Sequence, residues 1–362
     1  PAYRRQRQMC IRDSPYTVLR CTEDTDFLVA EMSARGIGHI AHLAKIAPPQ
    51  IGVVLNVGSA HIGEFGSREN IALAKGELVE ALPSAEEGGV AVLNADDDLV
   101  SAMASRTNAR VVTFSTHPRG GDFYATDITL DAIARASFVL HCPDAEPQRV
   151  SLGVFGAHQV SNALAAAAVG VQAGLDAAQV AEALSAARSV SVNRMDVNTR
   201  EDGVTVINDA YNANPESMRA GIAALGYTAA ARPGVRSVAV LGEMGELGSD
   251  AVAAHAALAE ELGRYHVTHL IAVGHTAPIE ALLLGSQQHG IQAQQVADAQ
   301  EATAAVRRLL SAAPPGESGW EHRADRDVVL VKASNAVKLW RVAEELLAGH
   351  RLRDDQRNYP RS

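Results

Sequence analysis

Strand-length apolar runs fall at residues 26–30, 51–57, 89–93 and 110–114, and helical spacing at 67–82 and 159–174. Strand and helix in alternation predict a parallel sheet covered by helices. Between them, 123–130 and 136–142 read as an antiparallel pair, with 148–154 adding a strand to a small side sheet. A second alternating series begins near residue 190. Its strands are expected at 204–208, 236–241, 269–273 and 328–331, and its helices at 215–225, 250–263 and 335–348. The stretch 312–327 reads as a polar loop, and 350–362 as a charged, frayed end. The boundary is placed between an Ala-rich helix ending near Ala187 and a strand around Met195. The expected fold class is α/β. A central, mostly parallel sheet flanked by helices and carrying the side sheet spans 15–189, and a C-terminal Rossmann-like α/β domain spans 190–349. Residues 1–14 carry four arginines and no usable periodicity, and read as foreign to the rest of the chain.

At 362 residues the chain is too long for one ordinary core, in keeping with two domains. Nearly half of it, 47%, is apolar with few aromatics, which suits helices on parallel sheets. No apolar run reaches the ~18 residues that would cross a bilayer. The net charge of −10 and the lack of a basic stripe argue against a nucleic-acid partner. The three cysteines, Cys10, Cys21 and Cys142, have neither zinc-like nor CxxC spacing, and a cytoplasmic location is expected.

Candidate chemistry gathers where strands end. In DFLVAEM, Glu31 stands at a predicted carboxyl end, where ligands collect in open parallel sheets. IGVVLNVGSAHIGEFGS runs from a buried strand into a Gly-rich loop bearing Asn56 and His61; an imidazole there suits a metal or a phosphate. The helix 67–82 is capped by Ser67, with Glu69 in its first turn. Lys75 lies in the stripe of Ile71, Leu78, Val79 and Leu82. Burial lowers an amine's pKa, and a neutral amine takes up carbon dioxide as a carbamate, an anion suited to Mg²⁺. The alternative is a lysine whose head reaches water. FGAHQVSNALAAAAVG sets His158 and Asn162 one turn apart. In VTVINDAYNANPESM, Asp209 and Asn212 meet a loop before the Asn214–Pro215 helix start. SVAVLGEMGELG precedes the helix holding His255, and VVLVKASNAV puts Lys332, Ser334 and Asn335 at a strand-to-helix junction.

The order and spacing of NVGSAHIGEFGS, AKGE, NDAYNANP and VLGEMGELG resemble the Mur ligase family over roughly residues 15–349. The resemblance implies an ATPase-type central sheet and an ATP-dependent amide ligase acting through an acyl phosphate. It implies Mg²⁺ held by Glu31, His61 and a carbamylated Lys75, with those three as the catalytic group. It implies ATP contacts from Asn162, Arg194, Asp209, Tyr211 and Asn212, and acceptor contacts from Lys332, Ser334 and Asn335. The substrates implied are UDP-N-acetylmuramoyl-tripeptide and D-alanyl-D-alanine, in a monomeric enzyme of peptidoglycan precursor synthesis. The chain reads K-A-S-N where the family suggests K-G-S-R.

The family's phosphate loop, of the G-x-x-G-K-[ST] kind, is expected before Glu31. No such run stands in these residues, and the domain gripping the uridine nucleotide is expected to precede it. The chain alone is therefore expected to hydrolyse no ATP. Three rival readings remain. Another amide ligase of the family, such as a folylpolyglutamate-type enzyme, is one, although the D-N-P-R motif of third-residue ligases is absent. A non-catalytic nucleotide-binding remnant is another. A dehydrogenase fits poorly, because no G-x-G-x-x-G follows a first strand.

Overall fold

The computed structural model describes residues 17–58, 62–188, 193–232, 234–313, 320 and 324–353. Residues 1–14 and the candidate ligand His61 lie outside that set. The chain divides into two compact units, and its described residues form two six-stranded sheets.

The first sheet runs in chain order: β1 (Ile51–Val54), β2 (Val90–Asn94), β3 (Arg110–Ser115), β4 (Phe123–Leu130), β5 (Arg135–His141) and β6 (Gln148–Phe155). The strands β1 to β4 pair in parallel. Thr126 meets His141 and Thr129 meets Ser137, so β4 and β5 run in opposite directions. The longer helices beside this sheet in sequence are α1 (His39–Ile46), α2 (Arg68–Glu80), α3 (Gln159–Gln172) and α4 (Ala177–Ala186). Every residue of β2 is buried, as a strand covered on both faces requires. Val54, Ile71, Val79, Leu93 and Val100 share its core.

Local chemistry sets α2. The Ser67 hydroxyl accepts the Asn70 N–H at 3.2 Å, the cap expected from sequence. Glu77, on the buried face, turns its carboxylate to the Gly38 N–H and to the Ala41 N–H at 2.9 Å, which satisfies donors at the start of α1. Gly76 has a different task. The Arg106 guanidinium lies across α2 where a Cβ at Gly76 would stand, and donates to the carbonyls of Ala72 (3.1 Å) and Leu73 (3.0 Å). Its Nε reaches Glu80 at 2.9 Å.

The second sheet has the order β11-β10-β9-β12-β8-β7. Its elements are β7 (Asp196–Thr199), β8 (Thr205–Asn208), α5 (Pro215–Ala230), β9 (Ser237–Leu241), α6 (Ala251–Arg264), β10 (His269–Val273), α7 (Ala277–Gln288), β11 (Gln292–Val296), α8 (Ala299–Ser311), β12 (Val328–Lys332) and α9 (Trp340–Leu347). All neighbours are parallel except β7 against β8. The strands β8, β9, β10 and β12 are buried throughout. Among the described residues no helix is long and apolar enough to cross a membrane.

Two expectations are corrected, and a third gains a detail. Residues 26–30 form no strand: Phe27 and Val29 are 71% and 89% exposed, and no described strand pairs with them. An apolar run without a neighbour to take its N–H and C=O groups has no ladder to join. The single helix expected over 335–348 is broken. A 3₁₀ turn covers Asn335–Val337, Lys338 takes φ 58°, and α9 begins beyond it. The break lets Leu339, Val342, Ala343 and Leu346 begin a new buried stripe. The polar loop 312–327 has an anchor: Trp320 is buried, with the Arg236 and Arg326 guanidinium groups each 5.4 Å from its ring.

Gly76 yields a prediction whose sign separates two effects. Helix propensity alone makes Gly76→Ala stabilising by ~0.5–1 kcal/mol. Displacing Arg106 from its acceptors costs about 1.5–3 kcal/mol. Urea unfolding of Gly76→Ala is expected to show net loss of stability, reversed to a gain when Arg106→Ala is already present.

Candidate active site

The loop after β1 is held by side chains rather than by a ladder. The Leu55 carbonyl accepts from Asn94 Nδ2 at 2.8 Å, Asn56 from Lys75 Nζ at 2.6 Å, and Val57 from the Arg68 guanidinium at 2.8 Å. The Val57 N–H donates to Asp97 Oδ2 at 2.7 Å. Asp97 also caps the next turn by accepting from the Leu99 and Val100 N–H groups. The loop therefore leaves β1 on a fixed course toward residue 58, three residues before His61.

Lys75 is half-buried, and its amine reaches the Asn56 carbonyl. The stripe reading placed it among apolar neighbours; Ile71 and Val79 are indeed buried beside it, while its head finds a backbone acceptor. Glu31 is exposed, in irregular chain, and its carboxylate accepts from Ser33 Oγ at 3.5 Å. Among the described residues no three His, Cys, Asp or Glu side chains gather as metal ligands, and His61 is outside that search. Asn162 is exposed in the first turn of α3, and His158 is exposed before it.

The turn after β2 carries a polar cluster that sequence reading passed over. Burial alone would raise the Asp96 carboxyl. The Ser115 hydroxyl, the His117 ring, and the N–H and hydroxyl of Thr116 outweigh it and hold Asp96 at about 2. An Asp beside Asn94 in a turn is an ordinary Asx signal, so nothing in the pattern marked it.

In the second sheet, the ends of β8, β12 and β9 bring several expected residues together. Lys332 is 1% exposed, and its ammonium meets Asp209 Oδ2 at 2.5 Å and the Asn212 carbonyl at 3.0 Å. The other Asp209 oxygen accepts the Met195 N–H at 3.0 Å. Each carboxylate oxygen has two lone pairs, so Asp209 keeps acceptor capacity for a ligand. Gly221 in α5 makes the lysine's seat: a Cβ there would stand 3.0 Å from Lys332 Cδ. The Arg194 guanidinium stacks 4.1 Å over the Tyr211 ring, which couples those two expected residues. Asn212 is exposed beside them.

Across β12, the Ser334 N–H donates to the Glu243 carbonyl at 3.0 Å, and Asn335 is exposed next to it. Glu243, which the sequence reading did not single out, lies at this same end of the sheet. Its carboxylate accepts from Thr276 Oγ1 at 3.2 Å. His255, 0% exposed, is held below its usual range by burial. Its Nε2 accepts the Met244 N–H at 2.9 Å while Nδ1 donates to the Ala251 carbonyl at 2.6 Å, so the neutral ring pins the loop after β9.

Lys332→Met leaves a buried carboxylate without its cation, a change that costs ~3–5 kcal/mol. Denaturant unfolding is expected to show that loss, and the double variant Lys332→Met/Asp209→Asn should be less destabilised than the sum of the single changes by about 1–3 kcal/mol. Strict additivity would mean that the two groups do not act as a pair.

Residues 12–170 match the Mur ligase middle domain, and residues 193–335 match the family described as Mur ligase, glutamate ligase domain. The chain is similar to the UDP-N-acetylmuramoyl-tripeptide--D-alanyl-D-alanine ligase of Mycobacterium tuberculosis (strain CDC 1551 / Oshkosh), with 51% identity over 341 residues, 92% of this chain and 65% of that protein. The protein of the same name from Escherichia coli (strain K12) is 32% identical over 276 residues, 76% of this chain and 59% of its own length. Among solved structures, MurF from Acinetobacter baumannii superposes with a TM-score of 0.78 at 27% identity, covering 92% of this chain and 67% of that one. MurF from Thermotoga maritima, in complex with ADP, gives 0.69 at 26% identity, covering 92% and 76%. The chain thus spans 65% of the length of the Mycobacterium tuberculosis relative. With both domains matched in order, the chain belongs to the Mur ligase family and carries its middle and C-terminal domains.

Proposed function

We propose that this chain is the nucleotide-binding and acceptor-binding part of an ATP-dependent amide ligase that joins D-alanyl-D-alanine to UDP-N-acetylmuramoyl-tripeptide. The observation that carries the reading is the 51% identity, across 92% of the chain, to a relative of that name. The domain boundary is placed between Ala187 and Met195.

The reaction has two displacements. A carboxylate oxygen of the tripeptide attacks the γ-phosphorus of ATP, ADP leaves, and an acyl phosphate forms. The dipeptide nitrogen then attacks the acyl carbon, loses its proton, and expels phosphate to leave the amide. Asp209 holds the ribose hydroxyls, with its carboxylate oriented by Lys332 and the Met195 N–H. Arg194, stacked on Tyr211, lies along the nucleotide with Asn212, and Asn162 meets the adenine edge. Lys332, Ser334 and Asn335 belong to the strand end that receives the dipeptide.

Glu31, His61 and a carbamylated Lys75 are the residues assigned to Mg²⁺. Two oxygen donors and an imidazole form a set that a hard cation accepts. The half-buried Lys75 amine lies beside the loop that leads to His61, which supports grouping those two. Bound Mg²⁺ supplies offset for negative charge as the phosphoryl group moves. No G-x-x-G-K-[ST] run stands in these 362 residues, so the chain by itself is assigned binding without ATP turnover.

Joined to the remaining third of the Mycobacterium tuberculosis relative, the chain should release phosphate from ATP only when both the tripeptide nucleotide and D-alanyl-D-alanine are present. Lys75→Ala should abolish that release, with partial rescue by a short carboxylic acid. Undiminished release in Lys75→Ala, or preference for glutamate or diaminopimelate as acceptor, would refute the assignment.

A further inference from the structure

Glu243 stands at the carboxyl end of β9 as a half-buried carboxylate. Its side chain makes one hydrogen bond, the Thr276 hydroxyl donating to Oε2 at 3.2 Å. No ion pair joins it to a described Lys or Arg. With one hydroxyl partner and no described cation, the carboxylate keeps most of its acceptor capacity for a ligand. Its backbone is equally well fixed: the Glu243 carbonyl takes the Ser334 N–H at 3.0 Å, and the Gly242 N–H donates to the Lys332 carbonyl at 3.0 Å. The residue therefore sits on a rigid strand end rather than on a free loop.

Its place in the sheet specifies the ligand. In the order β9-β12-β8, Glu243 lies just past β9, Ser334 just past β12 and Asp209 just past β8. Two strand spacings separate the Glu243 and Asp209 positions, about 10 Å. An acceptor held at the β9–β12 end would thus lie one short molecule away from a nucleotide held at Asp209. One carboxylate with a neighbouring hydroxyl is a thin ligand set for a divalent cation, which takes six or more oxygens. It fits a primary ammonium, with three N–H donors and a single charge.

We propose that Glu243 is the specificity residue that receives the α-ammonium group of the acceptor peptide, with Thr276 orienting its carboxylate. This rests on the ligase reading and goes beyond it by assigning the amine end of the acceptor to β9. A free ammonium is accepted, and an N-acylated peptide of the same shape is refused, because it brings no charge and too few donors.

Isothermal titration of the 362-residue chain with D-alanyl-D-alanine and with its N-acetyl derivative tests this. Wild type is expected to bind the free dipeptide at least tenfold more tightly than the acetylated one. Glu243→Gln keeps the shape and the Thr276 contact, and should weaken the free dipeptide at least tenfold while changing the acetylated one less than threefold. Thermal melting checks that the variant is folded, and the ligand comparison in wild type stands without the variant. If both dipeptides bind wild type equally, or Glu243→Gln binds both as wild type does, Glu243 is not the ammonium site and the ligase reading survives. If wild type binds neither dipeptide while the chain joined to its relative's remaining third also fails to use D-alanyl-D-alanine, the ligase reading itself is overturned, and this inference with it.

Discussion

Parallel sheets leave the loops at their carboxyl ends without ladder partners, and in this chain side chains supply what the ladder does not. The loop after β1 depends on four of them. Asn94, Lys75 and Arg68 donate to three successive carbonyls, and Asp97 accepts the Val57 N–H. The second sheet solves the same problem with charge, through Lys332 between Asp209 and the Asn212 carbonyl, and with a neutral ring, through His255 under Met244. Residues that fix a backbone in this way leave neighbouring groups free to meet a ligand at set positions.

Much of this was legible in the sequence where one physical signal ruled. The buried strands VAVLN, SVAVL, HLIAV and VVLVK are apolar runs bounded by turns, and the caps Ser67 and Asn214 stand where the rules for helix starts put them. Reading failed where pairing decides. DFLVA has strand composition but no described neighbour, whereas β11 is QAQQV, with a burial pattern that exposes alternate glutamines, and becomes a strand because β10 lies beside it. The break at Lys338 was hidden because a left-handed lysine carries no compositional mark.

At the candidate site, position along the chain was more legible than pairing in three dimensions. Asp209 and Lys332 were each picked from a strand end, but their pairing links positions 123 residues apart, and no local pattern announces it. Arg194 and Tyr211 likewise meet only in three dimensions. Lys75 was read from its apolar stripe as either a buried amine or a lysine whose head reaches water. Its stem carries the head to the Asn56 carbonyl, an acceptor that helical periodicity does not name. Gly76, next to it, looks like a helix weakness in sequence, and is the gap through which Arg106 braces the helix.

The central claim is that side chains, not a ladder, hold the loop after β1 in place. Amide hydrogen exchange at Val57 tests it most directly, in wild type and in Asp97→Ala. Loss of a half-buried charged acceptor worth about 1.5–3 kcal/mol should speed exchange at Val57 by roughly tenfold or more, while the core amide of Leu93 in β2 exchanges as before. Unchanged protection at Val57 in that variant would mean that the loop is held by something else.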